Sequence, residues 1–157
     1  MLHARTRRPA PVRFALLLLS APALAQTGTT ASDKAKEEPP YSAYKGVRIG
    51  MTADEARKLL GNPTEKDDKQ EVFAVGDQES CQVYYDETKK VSALSVTYFS
   101  SKSVPAAKTV LGEEPAANQD GSFSKLIRFP KAGYWVSYTR TSGDAPMTII
   151  AMQRLEP

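Results

Sequence analysis

The sequence predicts an α+β protein made of two tandem units, each a helix followed by a three-stranded antiparallel meander, with the helices packed on one face of the sheet. Three observations lead there. The first residues read as a leader that folds no domain, two short helix signals lie 51 residues apart, and three strand-like runs follow each of them. The units are expected at 41–100 and 101–157, within one domain spanning 41–157.

Met1 to Arg13 carries Arg5, Arg7, Arg8 and Arg13, and the apolar run Phe14-Ala15-Leu16-Leu17-Leu18-Leu19 follows. Ala23-Leu24-Ala25 then has the small-x-small pattern of a cleavage site, so 1–25 reads as a secretory signal peptide cut after Ala25. The apolar run is far shorter than the roughly 20 residues a bilayer-spanning helix needs, and Ser20 and Pro22 interrupt it. The mature chain is therefore expected to be exported, to the periplasm or the medium, with no membrane span. From Gln26 to Pro40 the residues are mostly Thr, Ser, Ala, Lys, Glu and Pro without apolar periodicity, as in a disordered linker.

Four of the 21 Lys and Arg, and none of the 18 Asp and Glu, precede residue 26, so the remainder carries a net charge of about −1. The basic balance of the whole chain thus belongs to the leader. Nucleic-acid binding needs a clustered basic face, whereas here Lys and Arg alternate with acids. The only histidine, His3, also lies in the leader. Without it, a histidine triad, a His-ligated metal centre and a Cys–His nucleophile pair are excluded. Catalytic, metal-binding and cofactor-binding residues are accordingly expected to be none. Cys81, the single cysteine, alternates with polar neighbours as a small apolar strand residue does; an intermolecular disulfide or a reactive thiol is the other reading.

The first helix signal is Gly50-Met51-Thr52-Ala53-Asp54-Glu55, closed by Leu60-Gly61-Asn62-Pro63. Thr52 and Glu55 have capping-box spacing, Met51 and Ala56 suit the accompanying apolar staple, Gly61 suits a left-handed position beyond the last turn, and Pro63 stops continuation. A helix is expected over Ala53–Leu60, with Ala56, Leu59 and Leu60 on its inner side. The runs 71–75, 81–85 and 91–99 follow as strands, rich in Val, Phe, Tyr and Leu between turn-forming or charged segments. Acid clusters at Asp67-Asp68, Asp77-Glu79 and Asp86-Glu87 fall at hairpin positions and lack calcium-loop spacing.

Shifting the first helix by 51 residues brings Thr52 onto Ser103, Ala56 onto Ala107, Arg57 onto Lys108, Leu60 onto Leu111 and Gly61 onto Gly112. Strand-like runs at 123–129, 134–140 and 147–154 complete the expected second unit, and the agreement in order and spacing reads as a duplication. Lys131-Ala132-Gly133 before Tyr134-Trp135 suits a hairpin turn. Ser122-Phe123-Ser124-Lys125 lies in an expected strand, where a Ser-x-x-Lys nucleophile motif requires a helix.

The motif Gly50-Met51-Thr52, with Leu60-Gly61-Asn62-Pro63, resembles the G-M-T…L-G-x-P opening of the SmpA/OmlA (BamE-type) family of small outer-membrane assembly lipoproteins. The tandem plan is similar to the β-lactamase-inhibitor-protein-like (BLIP-like) fold. The resemblance covers about 17 residues, and Gln26 stands where a lipid-anchored member has its acylated cysteine. It implies a non-enzymatic protein of the cell envelope that acts by contact with other proteins.

A sheet with helices on one face leaves its other face to water or a partner. The large residues expected to contribute there are Tyr84, Tyr98, Trp135 and Tyr138, because amphipathic aromatics supply rigid contact area with a polar tip. Tyr134, Val136 and Tyr138 share one strand face and Trp135 lies on the other, so the four cannot all line one surface, and either parity is open to be the core. The expected function is an exported module that binds another envelope or secreted protein through a sheet surface. The alternatives are a periplasmic small-molecule or lipid carrier with an apolar cleft, an inhibitor of a secreted enzyme, and, from a third class, an enzyme with a carboxylate or Ser–Lys centre.

Overall fold

The computed structural model describes residues 38–100 and 102–156, all within the unit Lys34–Pro157. The expected signal peptide and residues 26–37 of the expected linker lie outside the described residues. The elements in chain order are α1 (Ala53–Leu60), β1 (Glu65–Lys66), β2 (Gln70–Gly76), β3 (Glu79–Tyr85), β4 (Val91–Phe99), α2 (Ala107–Leu111), β5 (Phe123–Phe129), β6 (Tyr134–Arg140) and β7 (Met147–Arg154).

α1 begins where local chemistry dictates. The Thr52 Oγ1 accepts from the Glu55 amide at 3.3 Å and the Thr52 amide donates to Glu55 Oε2 at 2.8 Å, so two otherwise free helix-end donors are satisfied. Gly50 and Met51 bond to Val91 in the backbone, which ties the start of α1 to the start of β4. Gly61 closes the helix by donating to the Arg57 carbonyl at 2.8 Å, but at φ 89° and ψ −155° rather than in the expected left-handed turn. Met51 is partly buried against the core and Ala56 is fully buried, whereas Leu59 is 47% exposed and lies over Gly46 instead of facing inward.

All seven strands form one antiparallel sheet in the order β1-β2-β3-β4-β7-β6-β5. The expected pair of helix-plus-meander units is overturned. β4 and β7 pair continuously, from Ala93 with Gln153 to Phe99 with Met147, so the two sets of strands share one sheet. A central strand edge left unpaired there would strand a row of N–H and C=O groups, and the pairing satisfies them. Helix is a minor component of eight and five residues. α2 is shorter than α1 because Ser103 does not cap it: Pro105 intervenes and Ala106 takes the cap position, with no side-chain bond to offer. β1, a two-residue strand, went unread because Glu65 and Lys66 have no apolar pattern.

The core lies between the helices and one face of the sheet. Phe73, Cys81, Val83, Leu94, Val96, Val136, Ile150 and Met152 from the strands meet Ala56, Val110 and Leu111 from the helices, all at 0% exposure. Cross-strand register explains the shared face: Phe73, Cys81, Val96, Ile150 and Tyr138 are successive partners across five strands. Cys81 is a free thiol inside this row, and burial pushes its pKa up to about 12.

Candidate functional site: the open sheet face

The residues that alternate with the core row point to the other side, where no helix lies among the described residues. Three rows run across it. Gln70, Tyr84, Ala93, Gln153, Trp135 and Arg128 are successive partners, as are Val72, Gln82, Ser95, Ala151, Ser137 and Leu126. Ala74, Ser80, Thr97, Ile149, Thr139 and Ser124 form the third. Charge is confined to the flanks, with Glu65 beside Val72 at one side and Arg128 at the other.

Tyr84 is 36% exposed and Trp135 half-buried, and they stand three strand spacings apart, about 14 Å. Between and beside them the floor is small, made of Ala93, Ser95, Ala151 and Ser137. Leu126 and Phe99 add apolar surface at the margins, 47% and 48% exposed. The polar members bond to each other across strands: Gln82 Nε2 donates to Gln70 Oε1 at 2.8 Å, and the Ser124 and Thr139 hydroxyls lie 2.8 Å apart.

Tyr98 and Tyr138 do not belong to this surface. They are 3% and 4% exposed on the core side, where burial pushes both phenols above their ordinary pKa. Tyr98 has the parity of Leu94 and Val96, and Tyr138 that of Val136. The Tyr138 ring stacks on Phe123 at 5.4 Å and its hydroxyl donates to the Pro105 carbonyl at 3.1 Å, so it fastens the segment that leads into α2. Of the four aromatics singled out by the sequence, the structure brings Tyr84 and Trp135 onto the open face and Tyr98 and Tyr138 onto the core face. The structural-motif residues Gly50, Met51, Thr52, Glu55, Leu60, Gly61 and Pro63 sit at the two ends of α1, away from it.

Leu126, Phe99 and the small floor residues were not read from the sequence as surface. Their signal was available in the alternation Ala93, Ser95, Thr97 against Leu94, Val96, Tyr98, which marks the small polar parity as the uncovered one.

Two clefts lie on the helix side. One, of about 450 Å³, is lined by Tyr98, Lys102, Val104, Phe123, Tyr138 and Arg140. The other, of about 520 Å³, lies over Glu71 with Arg57, Lys66, Asp67 and Lys89 around it. Glu71 is 1% exposed, yet it is fully engaged: Arg57 Nε donates to both its oxygens at 3.0 and 3.1 Å and the Tyr85 hydroxyl donates at 2.9 Å. Burial pushes the Glu71 pKa up, and the bonds from Arg57 and Tyr85 outweigh it, leaving the pKa lowered. A carboxylate held ionised in this way anchors α1 to β2 and has no proton to give near neutrality. Among the described residues, no group of three or more His, Cys, Asp or Glu side chains is placed to hold a metal ion. No described helix is long and apolar enough to cross a membrane.

No protein-family model matches the chain, and neither curated proteins nor solved structures yield a match.

Proposed function

We propose that the chain is an exported, non-catalytic protein-binding module of the cell envelope, recognising another envelope or secreted protein through the open face of its sheet. One observation carries this reading: a broad face with little charge, framed by Tyr84 and Trp135 over a floor of Ala and Ser, on strands whose backbone is fixed by pairing on both sides. Such a face offers aromatic anchors at low ordering cost, since the strands that carry them need not rearrange on association. A face without concentrated charge selects for shape and apolar contact, which suits a folded protein better than a nucleic acid or an anionic membrane. The carrier alternative has less in its favour, because both clefts are rimmed by charged side chains that an apolar cargo would have to desolvate.

The test is photocrosslinking in the native envelope from Ser95 and Ser137 on the open face, and from Lys58 on the exposed side of α1. Adducts of one protein mass from the two sheet positions, absent from Lys58 and lost in Tyr84→Ala/Trp135→Ala, are expected. Equal adducts from all three positions, or adducts unchanged by the double substitution, would remove this face from consideration. A small bound mass in native mass spectrometry would favour the carrier.

A further inference from the structure

The two side edges of the sheet are built differently. At one edge, β2 is partly covered by β1, whose flank bears Glu65, Lys66, Asp67 and Asp68, and its pairing with β3 is interrupted by a register shift between Ala74 and Gly76. These are the usual devices that keep a strand edge from pairing with another chain: short strands, charge and a bulge. At the other edge, β5 pairs with β6 through seven consecutive residues without a register shift, from Phe123 with Arg140 to Phe129 with Tyr134. β5 contains no proline, and Ser124, Lys125, Leu126 and Arg128 are exposed. In an antiparallel strand every second residue turns its N–H and C=O outward, and among the described residues no β-strand pairs with the outer side of β5.

The β5 sequence Phe123-Ser124-Lys125-Leu126-Ile127-Arg128-Phe129 is also complementary to itself. When two copies run antiparallel about a two-fold axis at Leu126, all seven residues of each find partners. Phe123 meets Phe129, Ser124 meets Arg128, Lys125 meets Ile127, and Leu126 meets its own copy. No like charges face each other. The neighbouring registers are worse: centring the pair on Lys125 sets two cations directly opposite, and centring it on Ile127 leaves Phe123 and Ser124 of each copy overhanging. Lys125 already has a counter-charge in Glu113, at 3.4 Å. We propose that the outer edge of β5 is a self-association edge, which pairs with β5 of a second copy of this chain about a two-fold axis at Leu126.

Seven residues on each side bury less than a standard interface, so the dimer is weak and depends on concentration. Sedimentation equilibrium of the exported form between about 10 µM and 1 mM, the range in which small interfaces associate, should show a mass rising toward twice that of one chain. Leu126 is 47% exposed, so its replacement leaves the core untouched. Leu126→Lys and Leu126→Glu, each alone, should raise the dissociation constant at least about tenfold through like charges at the axis. Mixing the two variants should restore a dimer at least as tight as the unsubstituted one. Circular dichroism of both variants checks that they are folded. A single-chain mass across the whole range would overturn the proposal and leave the β5 edge to a strand of another protein. So would single variants that dimerise as the parent does, or a mixture no tighter than its components.

Discussion

The attachment of α1 to the sheet through Glu71 yields a quantitative expectation. Glu71 is 1% exposed and takes charge-assisted hydrogen bonds from Arg57, including one from Nη2 at 2.5 Å, and another bond from Tyr85. Each such bond contributes on the order of 1.5–3 kcal/mol, but the sum is discounted because Arg57 is 31% exposed and also holds Asp54 at 2.7 Å. Glu71→Ala is therefore expected to lose about 3 kcal/mol, chiefly by stranding the buried Tyr85 hydroxyl and opening a void. Arg57→Ala should lose about 2 kcal/mol at pH 7, since the carboxylate stays buried with Tyr85 and Lys66 alone. The double variant should recover about 1.5–2 kcal/mol as coupling. Acid separates the two effects. In the parent chain the Glu71 pKa is lowered, so its contribution is present above the unfolded value of about 4.3 and fades as pH falls through the folded value. In Arg57→Ala, burial is the dominant remaining influence and the pKa is raised. The ionised carboxylate then costs stability above its pKa, and the deficit relative to the parent shrinks on going from pH 7 to pH 4. Urea unfolding followed by fluorescence of Trp135, the only tryptophan, measures all of this. Coupling under about 0.5 kcal/mol, or a deficit that does not change with pH, would refute the reasoning.

Two further expectations follow from local contacts. Thr52→Ala removes the hydroxyl half of the capping box and should lower stability by about 1 kcal/mol in the same urea experiment, whereas Thr52→Ser should lower it by much less. Cys81, at 0% exposure with its thiol pushed up to about 12, should react with a thiol reagent only as fast as the native chain opens; labelling at the rate of a free thiol at neutral pH would contradict its placement in the core.

What the sequence disclosed depended on how local the signal was. α1 was legible because Thr52, Glu55 and Pro63 specify its ends within a dozen residues. β4 to β7 were legible because β-branched and aromatic residues cluster between turn segments, and the structure places strands at 91–99, 123–129, 134–140 and 147–154. The union of the strands into one sheet was not legible. It rests on β4 meeting β7 across some fifty residues of chain, and no single residue in either strand announces that partner. The repeat misled at α2: the match of Ser103 to Thr52 ignored Pro105, which delays the helix to Ala107 and removes the cap. Two of the four aromatics, Tyr98 and Tyr138, lie on the core side; β6 carries aromatics on both parities, Tyr134 and Tyr138 against Trp135, and the sequence alone does not say which parity is core. For Tyr98 the answer was present, since its parity is that of Leu94 and Val96.

The geometry of the β5 edge bears on the open face as well. A two-fold axis that joins two copies of one strand edge antiparallel stands perpendicular to the sheet and pairs residues of equal parity, whereas a two-fold axis lying in the sheet would make the two strands parallel and turn one copy over. Equal parity sets Phe123 against Phe129 and Lys125 against Ile127 on the helix side, with Leu126 against Leu126 on the open side. The perpendicular axis therefore keeps both open faces on one side. Trp135 of one copy then stands three strand spacings from Trp135 of the other and, because it sits beside Arg128 and Arg128 meets Ser124, four residues further along the strands, about 20 Å away in all. The aromatic anchors of both copies thus lie on one side of the joined sheet, so the two copies present one wider face instead of two unrelated ones.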